Sequence, residues 1–199
     1  SGLVGSEMCI RDREYMKATI IGGQLARRYR LPYRTSSTNA ANSVDAQAAY
    51  ETVFSLWAAI MGGGNVIQHA AGWMEGGLVA SYEKFVLDAD LLQMVQEFLK
   101  PVLVNSEEMG RAAMREVGPG GHFFGAQHTL QRYATAFYQP LISDWRNFQN
   151  WEAAGSPTAA TRANALWKQA LAEYQLPPFD ADRLAACLLY TSDAADDTP

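Results

Sequence analysis

DAQAAYETVFSLWAAIMGGGNVIQHAAGWMEGGLVASYEKFVLDADLL, residues 45–92, is the stretch that decides the fold class. Residues 46–61 are apolar and alanine-rich, which predicts a long helix, and Gly62-Gly63-Gly64 stops it. NVIQH (65–69) follows as a short strand candidate that ends in the loop 70–77. Residues 81–100 predict a second helix, with Phe85, Leu91, Leu92, Val95 and Leu99 turned toward the core. Helix, short strand, loop and helix in succession suggest α/β crossovers. Polar loops after short strands fit the end of a parallel sheet or barrel, where active sites gather.

On the amino-terminal side, residues 15–30 have helical apolar spacing interrupted by Gly22-Gly23. Pro32 ends that helix and starts a short extended segment. TSSTNAAN (35–42) is a polar loop, after which Asn42 or Ser43 is expected to cap the next helix, with Asp45 in its first turn. On the carboxy-terminal side, Asn105 with Glu108 resembles a capping box opening a helix to Val117, stopped by Gly118-Pro119-Gly120-Gly121. Ser156-Pro157 starts a last helix through Tyr174, before Pro177-Pro178. There is no internal repeat.

The two ends read differently from the rest. LVGSEMCIRDR (3–13) and CLLYTSDAADD (187–197) resemble translated adapter DNA of the kind used in preparing sequencing libraries. Residues 1–13 and 187–199 are therefore expected to be artefactual, and 14–186 to be a gene fragment. Setting aside Glu7, Arg11, Asp12, Arg13, Asp193, Asp196 and Asp197 reduces 16 basic and 21 acidic residues to 14 and 16. The net charge then moves from -5 to -2, which suits neither a nucleic-acid-binding surface nor an acidic tail. Both cysteines, Cys9 and Cys187, lie in the set-aside ends. The remaining segment thus has no disulfide framework, thiolate metal site or cysteine nucleophile. No apolar run approaches membrane-spanning length, and a cytoplasmic location is the default expectation.

Several residues carry candidate chemistry. His69, at the end of a predicted strand beside Gln68, either donates a hydrogen bond to a bound anion or carboxylate or is a satisfied structural histidine. His122 and His128, with Glu116, have neither the HExxH spacing nor a closed zinc pattern, so no metal is expected. Gly118 to Gly121 lack the spacing and preceding strand of a dinucleotide loop. Glu51 lies on an apolar helix and must either pair or face water. Trp73, Glu75, Tyr82 and Glu83 cluster around a loop, and aromatic faces beside carboxylates attract quaternary ammonium groups. No nucleophile elbow or Walker motif is present.

Residues 45–92, then EVGPGGHFFGAQHTL (116–130), then the tail from Phe137 through Trp151 to Tyr174 and Pro178, together resemble the trimethylamine:corrinoid methyltransferase family. The resemblance covers essentially all of 14–186. It implies an α/β fold, the carboxy-terminal part of a (β/α)8 TIM-type barrel plus carboxy-terminal helices, beginning near the sixth barrel strand. Residues 31–34 and 65–69 would be late barrel strands, with the loops 35–43 and 70–80 at the catalytic face. It also implies transfer of a methyl group from a methylated amine to the Co(I) of a corrinoid carried by a separate corrinoid-binding protein, with no cofactor bound directly. Family members that demethylate trimethylamine carry pyrrolysine, whereas every residue here is standard. The expected substrate is therefore glycine betaine or a similar quaternary amine, with trimethylamine the alternative. On this reading His69 and Gln68 orient the substrate's end as catalytic residues. Asp45, Trp73, Glu75, Tyr82 and His122 form the substrate-binding set. A homo-oligomer is expected, with neither nucleic acid nor membrane as partner. The isolated chain is expected to be inactive or poorly folded. The rival from another class is a noncatalytic helical binding or scaffold module.

Overall fold

The computed structural model describes residues 12–37, 39–178, 180 and 183. Of the two stretches read as adapter-derived, only residues 12 and 13 are described, and both cysteines lie outside the described residues, as does Thr38.

Helix α1 (Asp12–Tyr29) runs unbroken through Gly22-Gly23, correcting the expected interruption. The glycines mark a close crossing instead. A Cβ on Gly23 would stand 1.9 Å from the carbonyl oxygen of Gly62, and one on Gly22 2.8 Å from the Tyr33 hydroxyl. Gly62 caps helix α2 (Ala46–Met61), and the Arg27 guanidinium donates to the same Gly62 carbonyl. Each glycine costs roughly 1 kcal/mol of helix propensity, offset here by a backbone approach that no side chain permits.

Strand β1 (Arg34–Ser36) pairs in parallel with β2 (Val66–Gln68), in the register Arg34↔Val66, Thr35↔Ile67 and Ser36↔Gln68. Helix α2 makes the connection that a parallel pair requires. The Tyr15 hydroxyl donates to the Ser36 carbonyl at 2.6 Å and accepts from its N–H at 3.1 Å, fixing the end of β1 to α1. Strands β3 (Trp73–Met74) and β4 (Val79–Ala80) form an antiparallel pair around a 3-10 turn, Glu75–Gly77. Helix α3 (Tyr82–Phe98) follows, its Ser81 hydroxyl accepting from the Lys84 N–H.

Shorter helices complete the first of two compact units, Ser1–Trp167. These are α4 (Arg111–Val117), α5 (Gln127–Arg132) and α6 (Phe148–Ala153), followed by α7 (Ala159–Ala172), which runs on into the second. Asn105 accepts from the N–H groups of Glu107 and Glu108, but it caps only a turn. Gly110, at φ +58, breaks the chain, so the helix begins at Arg111. In the second unit, Lys168–Pro199, the described residues give the end of α7 and a hydrogen bond from the Arg183 N–H to the Asp180 carboxylate at 3.0 Å.

The barrel expectation is overturned. A (β/α)8 barrel is a closed ring of eight parallel strands. The described residues are mainly helical, with one parallel pair and one antiparallel pair, neither closed. The alternating pattern of residues 31–69 is genuine but yields a single strand–helix–strand unit.

The buried face of α3 also differs from the hydropathy reading. Phe85 and Leu99 are more than half exposed, whereas Lys84, Val86, Asp88 and Asp90 are buried. Polar residues occupy the inner face because they find partners there, as described below. The apolar interior comprises Ala41, Ala48, Leu56, Ala58, Ala59 and Met74, with a separate cluster of Val86, Ile142 and Ala163.

Candidate functional site

The parallel strands end at Ser36 and Gln68, and the Ser37 N–H donates to the Gln68 carbonyl at 2.9 Å. His69 comes next, with φ +55. A non-glycine residue in this left-handed region costs roughly 1 kcal/mol or more and persists only where its surroundings impose it. Here its Nδ1 lies 3.2 Å from the Ser36 hydroxyl, and its ring meets Trp73 edge-on, with centroids 5.3 Å apart at 87°. Glu75 repeats the strained conformation at φ +51, and Gly72, Gly76 and Gly77 all have positive φ. The loop carrying His69 and Trp73 is thus sharply folded over a few residues.

What holds it is a buried polar scaffold on α2 and α3. Glu51 accepts from the N–H groups of Ala40 and Ala41 at 2.7 and 2.9 Å, and from the Gln47 amide at 2.7 Å. It pairs rather than faces water. Asn39 is 1% exposed and donates to the Ala48 carbonyl and the Thr52 hydroxyl. The two loops are laced together by Gly76 N–H to the Asn39 carbonyl and Glu75 N–H to the Ala41 carbonyl. Lys84 Nζ reaches Thr52 Oγ1 at 2.7 Å and both oxygens of Asp88 at 2.5 and 2.6 Å. Asp88 Oδ2 in turn accepts from the Gly72 N–H at 2.9 Å. Burial holds the Asp88 carboxyl above its ordinary value, with Lys84 pulling against that shift. Among the described residues, no buried side-chain polar atom lacks a partner, as a low-dielectric network demands.

Of the residues the sequence points to, the structure brings together His69, Trp73 and the strand end at Gln68. Asp45 is occupied as the cap of α2, a place expected for Asn42 or Ser43. It accepts from the N–H groups of Gln47 and Ala48 and from the Ser43 hydroxyl, which holds its carboxyl below the usual range. Glu75 is exposed at the start of the 3-10 turn. Tyr82 stacks on Trp167, centroids 4.9 Å apart at 27°, rather than on Trp73. Beside it, Glu83 accepts from the Asn164 amide at 2.6 Å and the Trp167 indole N–H at 2.9 Å, which lowers its carboxyl to about 2. His122 is exposed, its ring tilted against Phe124. The aromatic cage expected around one loop is therefore divided between two places.

A cavity of about 600 Å³ opens between α2, α3 and the start of α7, walled by Val53, Leu87, Leu91, Met94 and Ile142. Its acidic groups are committed elsewhere. Asp45 caps α2, Asp88 holds Lys84, and Asp90 accepts from the Leu141 N–H at 2.6 Å and from the Ser143 hydroxyl. A cation entering would compete with these bonds. The ring pair at the strand ends, with His69 exposed and Trp73 half-buried, is the better candidate, since an aromatic face needs no lone pair released.

The residues that sequence reasoning missed are Asn39, Thr52, Lys84 and Asp88. The only signal was the spacing Lys84-x-x-x-Asp88, which places both on one helix face.

Comparison with known proteins gives a consistent picture. The family model described as "Trimethylamine methyltransferase (MTTB)" matches residues 9–196. The chain is 36% identical to the glycine betaine methyltransferase of Desulfitobacterium hafniense (strain Y51) over 160 residues, 80% of this chain and 33% of that protein. It is 32% identical to the trimethylamine methyltransferase MttB2 of Methanosarcina mazei over 164 residues, 81% of this chain and 32% of that protein. A more distant match, at 27% over 124 residues, is the L-carnitine:corrinoid methyltransferase of Eubacterium limosum, covering 61% of this chain and 26% of that protein. The chain spans about a third of the length of the curated relatives it matches.

Proposed function

This chain belongs to the trimethylamine methyltransferase family, and from that premise we propose that the protein carrying it moves a methyl group from a methylated amine to a corrinoid held by a partner protein. The observation that carries the reading to a site is the pairing of exposed His69 with half-buried Trp73 at the ends of the parallel strands. A methylated ammonium group is a diffuse cation, and a tryptophan face attracts it by about 0.5–2 kcal/mol. The corrinoid supplies the nucleophilic metal that accepts the methyl group. On this reading the acceptor is a co-substrate brought by the partner. The work of this chain's residues is to hold the amine and align its methyl carbon, and alignment alone supplies much of the acceleration in such transfers.

Trimethylamine is the better supported substrate. The matched family takes its description from that amine, and several relatives are trimethylamine methyltransferases. Glycine betaine is the second reading, favoured by the 36% identity to a glycine betaine methyltransferase. For that substrate His69 and Gln68 would meet the carboxylate, with the trimethylammonium end on Trp73.

The test uses the full-length protein with its reduced corrinoid partner, followed by visible spectroscopy. Methylation of the corrinoid with trimethylamine and not with glycine betaine supports the first reading, and the reverse supports the second. A folded protein that methylates the corrinoid with neither amine overturns both.

A further inference from the structure

We propose that the buried Lys84–Asp88 pair is a positioning device for the His69–Trp73 ring pair, acting through the N–H of Gly72. Burying an ion pair is a poor way to add stability, since apolar residues of similar volume often do as well or better. This pair is 1% and 4% exposed, so another reason for its presence is called for. The second oxygen of Asp88 gives one. It accepts from the main-chain N–H of Gly72, which lies three residues after His69 and directly before Trp73. The Gly72 carbonyl accepts from Ser81 N–H at 3.0 Å. A Cβ there would lie 3.2 Å from that of Phe85, at a φ of +84 that other residues rarely adopt. Gly72 is thus held at its donor, its acceptor and its α-carbon, with one ring on either side. Lys84 completes the device by tying Asp88 to Thr52, and Thr52 takes a hydrogen bond from Asn39 in the other loop. Hydrogen bonds therefore run continuously from Asn39 through Thr52, Lys84 and Asp88 to Gly72. Bearing on methyl transfer follows only if the ring pair is the amine site proposed above.

The test is made on the 199-residue chain by NMR, reading the cross-relaxation between the His69 and Trp73 rings and the exchange of the Gly72 amide. K84M/D88L removes both charges and the acceptor while keeping apolar volume. The expected result is retained helix content, loss of the ring-to-ring signal and Gly72 exchange faster by about tenfold or more. K84M/D88N restores a neutral acceptor and is expected to recover both signals. A folded K84M/D88L chain with both signals unchanged overturns the proposal. Should that variant fail to fold, the unsubstituted chain decides: slow Gly72 exchange, shared with the α2 and α3 amides, supports the clamp, and free-loop exchange overturns it. Neither readout depends on methyl transfer. A full-length protein inactive toward every amine but with the ring pair intact counts against the function and not against the clamp.

Discussion

Two regions of this chain differ in how their connecting segments are held. In the loops 36–45 and 69–77, main-chain groups are fastened by buried side chains: Glu51 takes two N–H groups, Asn39 joins the loops, and Asp88 takes the N–H of Gly72. In the segment 101–104, Val102, Leu103 and Val104 are 89, 65 and 78% exposed, and none forms a main-chain hydrogen bond among the described residues. The first region buries polar groups with every partner supplied, while the second leaves apolar side chains in water. Hydropathy alone would assign the reverse. Local order here follows satisfied hydrogen bonds, because an unpaired buried polar group costs more than a buried methyl group returns.

Removing one member of the buried pair should have the largest effect. K84M leaves the Asp88 carboxyl without its cation, and a loss of about 3–5 kcal/mol is expected in urea unfolding. A midpoint unchanged from the parent chain would mean that the pair does not hold this region. G23A drives a methyl group into the Gly62 carbonyl, 1.9 Å away. Overpacking of that kind is expected to cost about 1–3 kcal/mol, seen as a lower melting temperature. D45A removes the cap of α2, for a loss of about 1 kcal/mol in the same measurement.

A smaller change is expected on acidification. The Glu83 carboxyl is lowered to about 2 by its Asn164 and Trp167 donors. Its contribution is complete above the unfolded-state value and is lost as pH falls from there toward 2. Tryptophan fluorescence should report loosening of Trp167 across that window, and E83Q should abolish the step. At the other end of the comparison, L103S should change stability by no more than about 0.5 kcal/mol. A larger loss would show that 101–104 is packed after all.

The sequence made some of this legible and hid the rest for identifiable reasons. The span of α2 was readable from its alanine-rich run and triple-glycine stop, and β2 from NVIQH. The barrel was not: alternation of helix and strand reports a crossover but not the number of strands that close a sheet. Gly22-Gly23 looked like a helix break because propensity is local, whereas the Gly62 carbonyl that Gly23 admits lies far along the chain, and Gly22 makes room for the Tyr33 hydroxyl. Tyr82 stood close to Trp73 in sequence, yet it stacks on Trp167 near the other end of the unit. The inner face of α3 was misassigned because Phe85 outranks Lys84 in hydropathy, and only the positions of Thr52, Asp88 and Gly72 make a buried lysine tolerable. His69 and Trp73 stand four positions apart in one tight loop, yet the sequence grouped His69 with Gln68 and Trp73 with Tyr82, and their edge-on contact comes from the fold.

Amide hydrogen exchange over the whole chain tests the contrast most directly. The expected result is slow exchange at Ala40, Ala41 and Gly72, at rates shared with α2 and α3, beside free exchange at Val102, Leu103 and Val104. Equal rates at the two sets would contradict it, because the buried carboxylates would then not be fixing the loops that carry the candidate site.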